Sequence, residues 1–151
     1  MFRFLIAAVL LTGCNSIYVK PNTLDTDAVI YADRGGYTMR RSIKQQMEKR
    51  GYVVVVGKAK HGRDGDGEAD IDMNKSTIPD DAKYIIKVDE HEDKFRPIWC
   101  VFNGFWWWNF NVSIADQTTG KEILSWRGRG CQNSSLRKLD TILNKMEIKN
   151  D

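Results

Sequence analysis

Histidine is nearly missing from this chain of 151 residues; His61 and His91 are the only two. Neither stands at a ligand-like spacing from the other or from a cysteine, so no metal centre is written into the sequence. Catalytic signatures are missing as well. There is no Gly-x-Ser-x-Gly elbow, no glycine-rich phosphate cradle and no dinucleotide fingerprint. Carboxylate pairs occur at Asp80-Asp81 and Asp89-Glu90, but adjacent acids are ordinary in loops and at strand ends. The expectation is a protein that is not an enzyme and needs no cofactor and no metal. An excess of either charge is also lacking: 23 Lys and Arg against 20 Asp and Glu leave a formal +3. A nucleic-acid binder would usually show a strong basic excess, so nucleic acid is not expected as a partner. Proline is scarce at three residues while aromatics make up 11%. Such a chain should fold, with disorder confined to its ends.

One acidic stretch imitates a calcium loop. Asp64-Gly65-Asp66-Gly67-Glu68-Ala69-Asp70 is dense in oxygen ligands. With Gly67 at the glycine position, however, the first ligand falls on Gly62 and the closing bidentate carboxylate on Met73. The stretch reads as a solvated loop.

What is present begins at the N-terminus. Arg3 is followed by an apolar run over residues 4–11, far short of the roughly 20 residues that cross a bilayer. Charge, apolar run and small residues before a cut are the layout of a secretory signal. Leu11-Thr12-Gly13-Cys14 resembles the lipobox of bacterial prolipoproteins. That resemblance implies a signal peptide over residues 1–13. It also implies a diacylglycerol thioether on Cys14, and an acylated N-terminus (palmitate and its like) that makes a membrane the first partner. Each buried methylene adds roughly 0.8 kcal/mol, and more than one chain makes the attachment stable. Asn15 stands where an aspartate typically marks inner-membrane retention in enterobacterial lipoproteins. By the same resemblance the expected location is the periplasmic face of the outer membrane.

Residues 14–26 read as a polar, lipidated tether with a short edge strand at most, able to reach on the order of 40 Å when extended. Residues 27–148 read as one periplasmic domain, long enough for a real core. Residues 28–31 suit a buried strand. Met39, Ile43 and Met47 recur every four residues and predict a helix over 37–50, stopped by Gly51. Residues 52–56 form a β-branched run typical of a strand buried on both faces, completing a strand–helix–strand unit. Residues 58–81 read as a long loop and 83–89 as a strand, followed by an irregular stretch containing Pro97. From 105 to 115 the alternation puts Trp106, Trp108, Phe110, Val112 and Ile114 on one face. A hairpin loop at Gln117-Thr118-Thr119-Gly120-Lys121 then pairs Ile114 with Leu124, Val112 with Trp126, Phe110 with Gly128 and Trp108 with Gly130. Rings lying over glycines are a sound cross-strand fit. A last helix over 135–148, capped by Ser134 or Ser135, carries Leu136, Leu139, Leu143 and Met146 on one face. The fold class is α/β: a two-layer mixed sheet with two helices packed on one face.

The same register sets Arg127 opposite Asn111 and Arg129 opposite Asn109, with Phe105 and Trp107 at the far end of that face. Arg and aromatic residues are enriched at protein interfaces, and Trp also suits membrane headgroup depth. Phe105, Trp107, Arg127 and Arg129 are therefore the candidate interaction surface, unless a helix or the 95–101 segment covers them. Cys100 and Cys131 are expected to pair because exported cysteines usually do. Geometry leaves two alternatives. A tight turn at Asn103-Gly104 would put both opposite Trp107, on either side and roughly 9–10 Å apart, beyond the ~7 Å a disulfide tolerates. A loop folding over the sheet would bring them together.

The segment order, with Thr119-Gly120-Lys121 and Trp126-Arg127-Gly128, resembles small outer-membrane lipoproteins. More remotely it resembles the periplasmic domains of curli-secretion and penicillin-binding-protein-activator lipoproteins. The resemblance carries over no functional residue. Three function classes follow: a non-enzymatic protein-binding or envelope-assembly module with an envelope protein as partner, an exclusion or immunity lipoprotein against phage, plasmid or toxin, and a cell-wall hydrolase. The first accords best with an anchored domain lacking catalytic groups.

Overall fold

The computed structural model describes residues 15–21, 23–63 and 69–147. The leader, Cys14, residue 148 and the centre of the calcium-like stretch (residues 64–68) lie outside the described residues. The chain runs β1 (Ser16–Val19), β2 (Val29–Ala32), α1 (Tyr37–Lys49), β3 (Val53–Val56), β4 (Lys58–Arg63), β5 (Ala69–Thr77), β6 (Tyr84–Phe95), β7 (Trp106–Asp116), β8 (Lys121–Cys131) and α2 (Gln132–Glu147). Six strands form one sheet in the order β1-β8-β7-β6-β2-β3. β2 is parallel to both β3 and β6, and the remaining neighbours are antiparallel. Both helices share one side of it. Met39, Ile43 and Met47 of α1 and Leu139, Ile142, Leu143 and Met146 of α2 join a single cluster with Ile30, Val54, Ile86, Val112 and Trp126. Each such side chain, fully removed from water, contributes roughly 1.5–3 kcal/mol. The two-layer α/β fold with its strand–helix–strand opening is what the sequence pattern demanded.

The β7–β8 register is the expected one, from Trp108 opposite Gly130 through Val112 opposite Trp126 to Ile114 opposite Leu124. Phe110 and Trp126 pack with ring centroids 4.3 Å apart. A Cβ on Gly128 would stand 2.6 Å from the Phe110 ring, so only glycine fits beneath it.

The start of α1 shows what local sequence could not. Gly36, with φ of 59°, precedes the helix and offers no side-chain cap. Glu90 of β6 supplies the acceptor instead, taking the Thr38 and Met39 backbone N–H groups at 2.8 and 2.7 Å. A carboxylate at a helix N-terminus satisfies orphan donors and opposes the macrodipole. The two helices are tied where Arg50 lies 2.8 Å from Asp140 and 3.3 Å from Glu147.

Five expectations are corrected. β3 is an edge strand rather than a strand buried on both faces; Val53 is 53% and Val55 42% exposed, because no described element covers the sheet opposite the helices there. The 58–81 stretch is a hairpin of β4 and β5, not a loop. The signal was present in the alternation of Ala69, Ile71 and Met73 with Asp70, Asp72 and Asn74, masked by the glycine and charge density around it. β6 extends to Phe95, beyond the expected end at Asp89, because β7 pairs along its whole length. Its charged second half lacks an apolar alternation to read. α2 begins at Gln132, directly after β8, so Ser134 and Ser135 lie inside its first turn; Ser134 Oγ donates to the Cys131 carbonyl at 2.8 Å.

The fifth concerns the tether. Residues 16–19 are a strand of the main sheet, and Lys20 N donates to the Ile123 carbonyl at 2.8 Å. Further on, Tyr84 Oη donates to the Thr23 carbonyl at 3.2 Å. The Asp27 N–H and the Lys83 ammonium, 3.2 Å away, hold the Asp25 carboxyl below the usual aspartate range. Most of the expected tether is domain.

Cys100 and Cys131 form a disulfide with Cα atoms 5.5 Å apart. The loop alternative is the one realised. Residues 96–105 fold over the end of the sheet and bring a fully buried Cys100 to the end of β8. Removing a bridge that spans 31 residues should cost about 3 kcal/mol. The paired change Cys100→Ser and Cys131→Ser is expected to lower Tm by on the order of 10 °C in thermal unfolding without reductant; an unchanged Tm would show that the staple contributes nothing.

Candidate interaction surface

The helices occupy one side of the sheet and leave the other open, so alternation along β6, β7 and β8 decides what the open side displays. Three cross-strand rows result. Asp89, Asn111, Arg127 and Ser16 stand in line across β6, β7, β8 and β1. His91, Asn109 and Arg129 form the second row, and Lys94, Trp107 and Cys131 the third. Arg127 and Arg129 are exposed, and Trp107 and Asn109 are half-buried. The first two rows line an open trough of about 520 Å³.

The expected surface is thus brought together in part. Arg127, Arg129 and Trp107 share the open face. Phe105 does not continue that strand; it is the last loop residue before β7, left-handed at φ 62° and 46% exposed. Cys131, opposite Trp107, is buried with its partner Cys100. The expected aromatic end is therefore partly covered by the loop, while the arginine rows stay open. Residues missed by the sequence reading are Asp89, the last residue of the expected strand, and His91, which the unrecognised second half of β6 carries into the same rows.

Chemically the trough offers two guanidinium groups, one carboxylate, one imidazole and two carboxamides. The Asn109 side-chain oxygen is enclosed without a protein donor. Leaving such an enclosed acceptor unmet costs about 1–3 kcal/mol. The arrangement suits hydrogen bonding to a polar protein surface. Among the described residues no three His, Cys, Asp or Glu side chains converge on a possible metal position, and no helix is long and apolar enough to cross a membrane.

No protein-family model matches the chain, and no curated protein matches it. Solved structures do. A point variant of the PelC dodecamer from Paraburkholderia phytofirmans is similar with a TM-score of 0.54 at 13% identity, over 91% of this chain and 99% of that one. The PelC dodecamer from the same organism, in another crystal form, is similar with a TM-score of 0.54 at 12% identity and the same coverage. At this identity the likeness establishes a shared fold over nearly the whole chain.

If the open face meets a partner, combining Trp107→Ala with Arg127→Ala should remove a specific adduct in crosslinking from intact cells, with the abundance of the protein unchanged. An unchanged set of adducts would discard the surface.

Proposed function

We propose that this chain is a lipid-anchored lipoprotein of the bacterial envelope that acts as a non-enzymatic assembly module, by contact with copies of itself and with another envelope protein. The observation that carries the reading is the whole-length likeness to a protein that assembles as a dodecamer. The open polar face with its two arginine rows supports it. A sheet layered on one side only has a second side free for contact, and polar rows with arginine are the composition of interfaces that form between already folded partners. The anchor rests on residues 11–14 and the outer-membrane location on Asn15, both carried from the prolipoprotein resemblance. β1 supports the anchor in a further way. Because the chain joins the sheet at Ser16, lipid at Cys14 would hold the domain directly on the membrane rather than on a long leash.

Two measurements test this. Light scattering on the purified, detergent-extracted protein should give a mass of many copies; a monomer at every concentration would overturn self-assembly. In cells, Cys14→Ser should stop palmitate incorporation and leave the precursor uncut, and unaltered labelling and maturation would overturn the anchor.

A further inference from the structure

The most exposed apolar side chains of the described molecule lie in the loop of residues 96–105, between β6 and β7. Ile98 is 84% exposed, Trp99 68% and Phe102 90%. The loop is nonetheless built firmly. Arg96 N donates to the Phe105 carbonyl at 2.7 Å, Cys100 N to the Arg96 carbonyl at 2.8 Å and Asn103 N to the Cys100 carbonyl at 2.8 Å. Arg137 of α2 donates to Asn103 Oδ1 at 2.8 Å, and Cys100 is bonded to Cys131. Phe102, like Phe105, holds a left-handed backbone, at φ 58°. For a bulky residue that conformation is strained. A strained, pinned backbone that points large apolar groups into water is explained by a surface that receives them.

The position of the chain start indicates which surface. β1 is antiparallel to β8, so from Val19 back to Ser16 the chain travels toward the Cys131 end of the sheet. Asn15 has reached Gly128, its Oδ1 only 2.5 Å from where a Cβ on that glycine would sit. One peptide bond, about 3.8 Å between Cα atoms, separates Asn15 from Cys14. Three residues of β8, roughly 10 Å, separate Gly128 from Cys131, where the loop is covalently fastened. Lipid on Cys14 would therefore leave the domain at the end that carries the loop. Charge agrees. Residues 96–105 contain Arg96 and no acid, and residues 128–138 add Arg129, Arg137 and Lys138, again with no acid. Asp140, two residues further on, is paired with Arg50, while Glu92 and Asp93 stand near the end of β6, Glu92 level with Gly130.

We propose that residues 96–105 form a membrane-seated tip. Ile98, Trp99 and Phe102 enter the headgroup boundary of a phospholipid bilayer beside the acylated N-terminus, while Arg96 and Arg137 meet lipid phosphates. Tryptophan favours this depth, and cations near the surface gain from anionic lipid. The inference rests on the reading of Cys14 as the lipid-bearing residue and deepens it. Two attachments, one covalent and one apolar, fix the tilt of the domain where a lone anchor leaves it free to swing.

The test uses the purified mature protein bound to phosphatidylethanolamine and phosphatidylglycerol vesicles, with plain or bromine-labelled acyl chains. The Trp99 emission, taken as natural protein minus Trp99→Phe, should fall about twofold or more in brominated vesicles, as expected for an indole at headgroup depth. The paired change Ile98→Asp and Phe102→Asp, at exposed positions that leave the core intact, should abolish that quenching. Emission indifferent to bromine overturns the proposal, and concentration-dependent association lost in the same double variant would assign the tip to a protein partner instead. Labelled palmitate incorporated in cells reads the anchor separately. Protein that carries palmitate but shows no quenching refutes the tip alone; unlabelled protein whose Trp99 is still quenched refutes the anchor alone.

Discussion

Hydrogen bonding between β7 and β8 permits several registers but only one of them buries the right side chains. With Val112 opposite Trp126, the rings of Phe110 and Trp126 meet beneath the helices and Gly128 leaves the space they need. A slip of β8 by one residue would turn Leu124 and Trp126 to solvent and bring Arg127 and Arg129 into the core. Burying even one unpaired guanidinium is costly enough to exclude the alternative. The core and the open polar face are thus two outcomes of one constraint. The candidate surface is as well defined as the core because it is the core's reverse side.

The edges of the sheet carry the next level of organisation. At one edge β1 ends the sheet, so that the entry of the chain into the domain and its strand pairing are coupled. At the other, among the described residues, β3 pairs with β2 alone. There the Lys44 ammonium occupies the Val54 carbonyl at 2.7 Å. A cation on an edge carbonyl is one way to discourage further strand addition. The proposed assembly through the arginine rows and the proposed membrane contact through Ile98, Trp99 and Phe102 use different side chains.

The helices are held by contacts distant in sequence. Glu90 closes the N-terminus of α1 from across the core, and Arg50 joins α1 to the carboxylates of α2. Glu90 serves two elements at once: its backbone belongs to the ladder of β6 opposite Phe110, and its side chain to the helix. Its position fixes where α1 begins relative to the sheet, which a cap drawn from residues just before the helix would not do.

The sequence alone determined the α/β class, the strand–helix–strand opening, the two amphipathic helices and the β7–β8 register. It did so because each depends on a period or pairing within a few turns of chain, where apolar spacing is a direct record of burial. It also placed Arg127, Arg129 and Trp107 on one face, since alternation along a strand is fixed by the pleat. Tertiary structure decided what rests on long-range pairing. β7 recruited the charged half of β6 by supplying hydrogen-bond partners along its length. β8 drew residues 16–19 out of the tether, and β3 became an edge because no other described strand pairs beyond it. The Cys100–Cys131 bridge was open to argument from sequence, because the distance depended on whether residues 96–105 ran as a strand or folded back as a loop. A cluster of exposed aromatics in that loop acquires meaning only when the sheet shows that the chain's first described residues travel toward the same end.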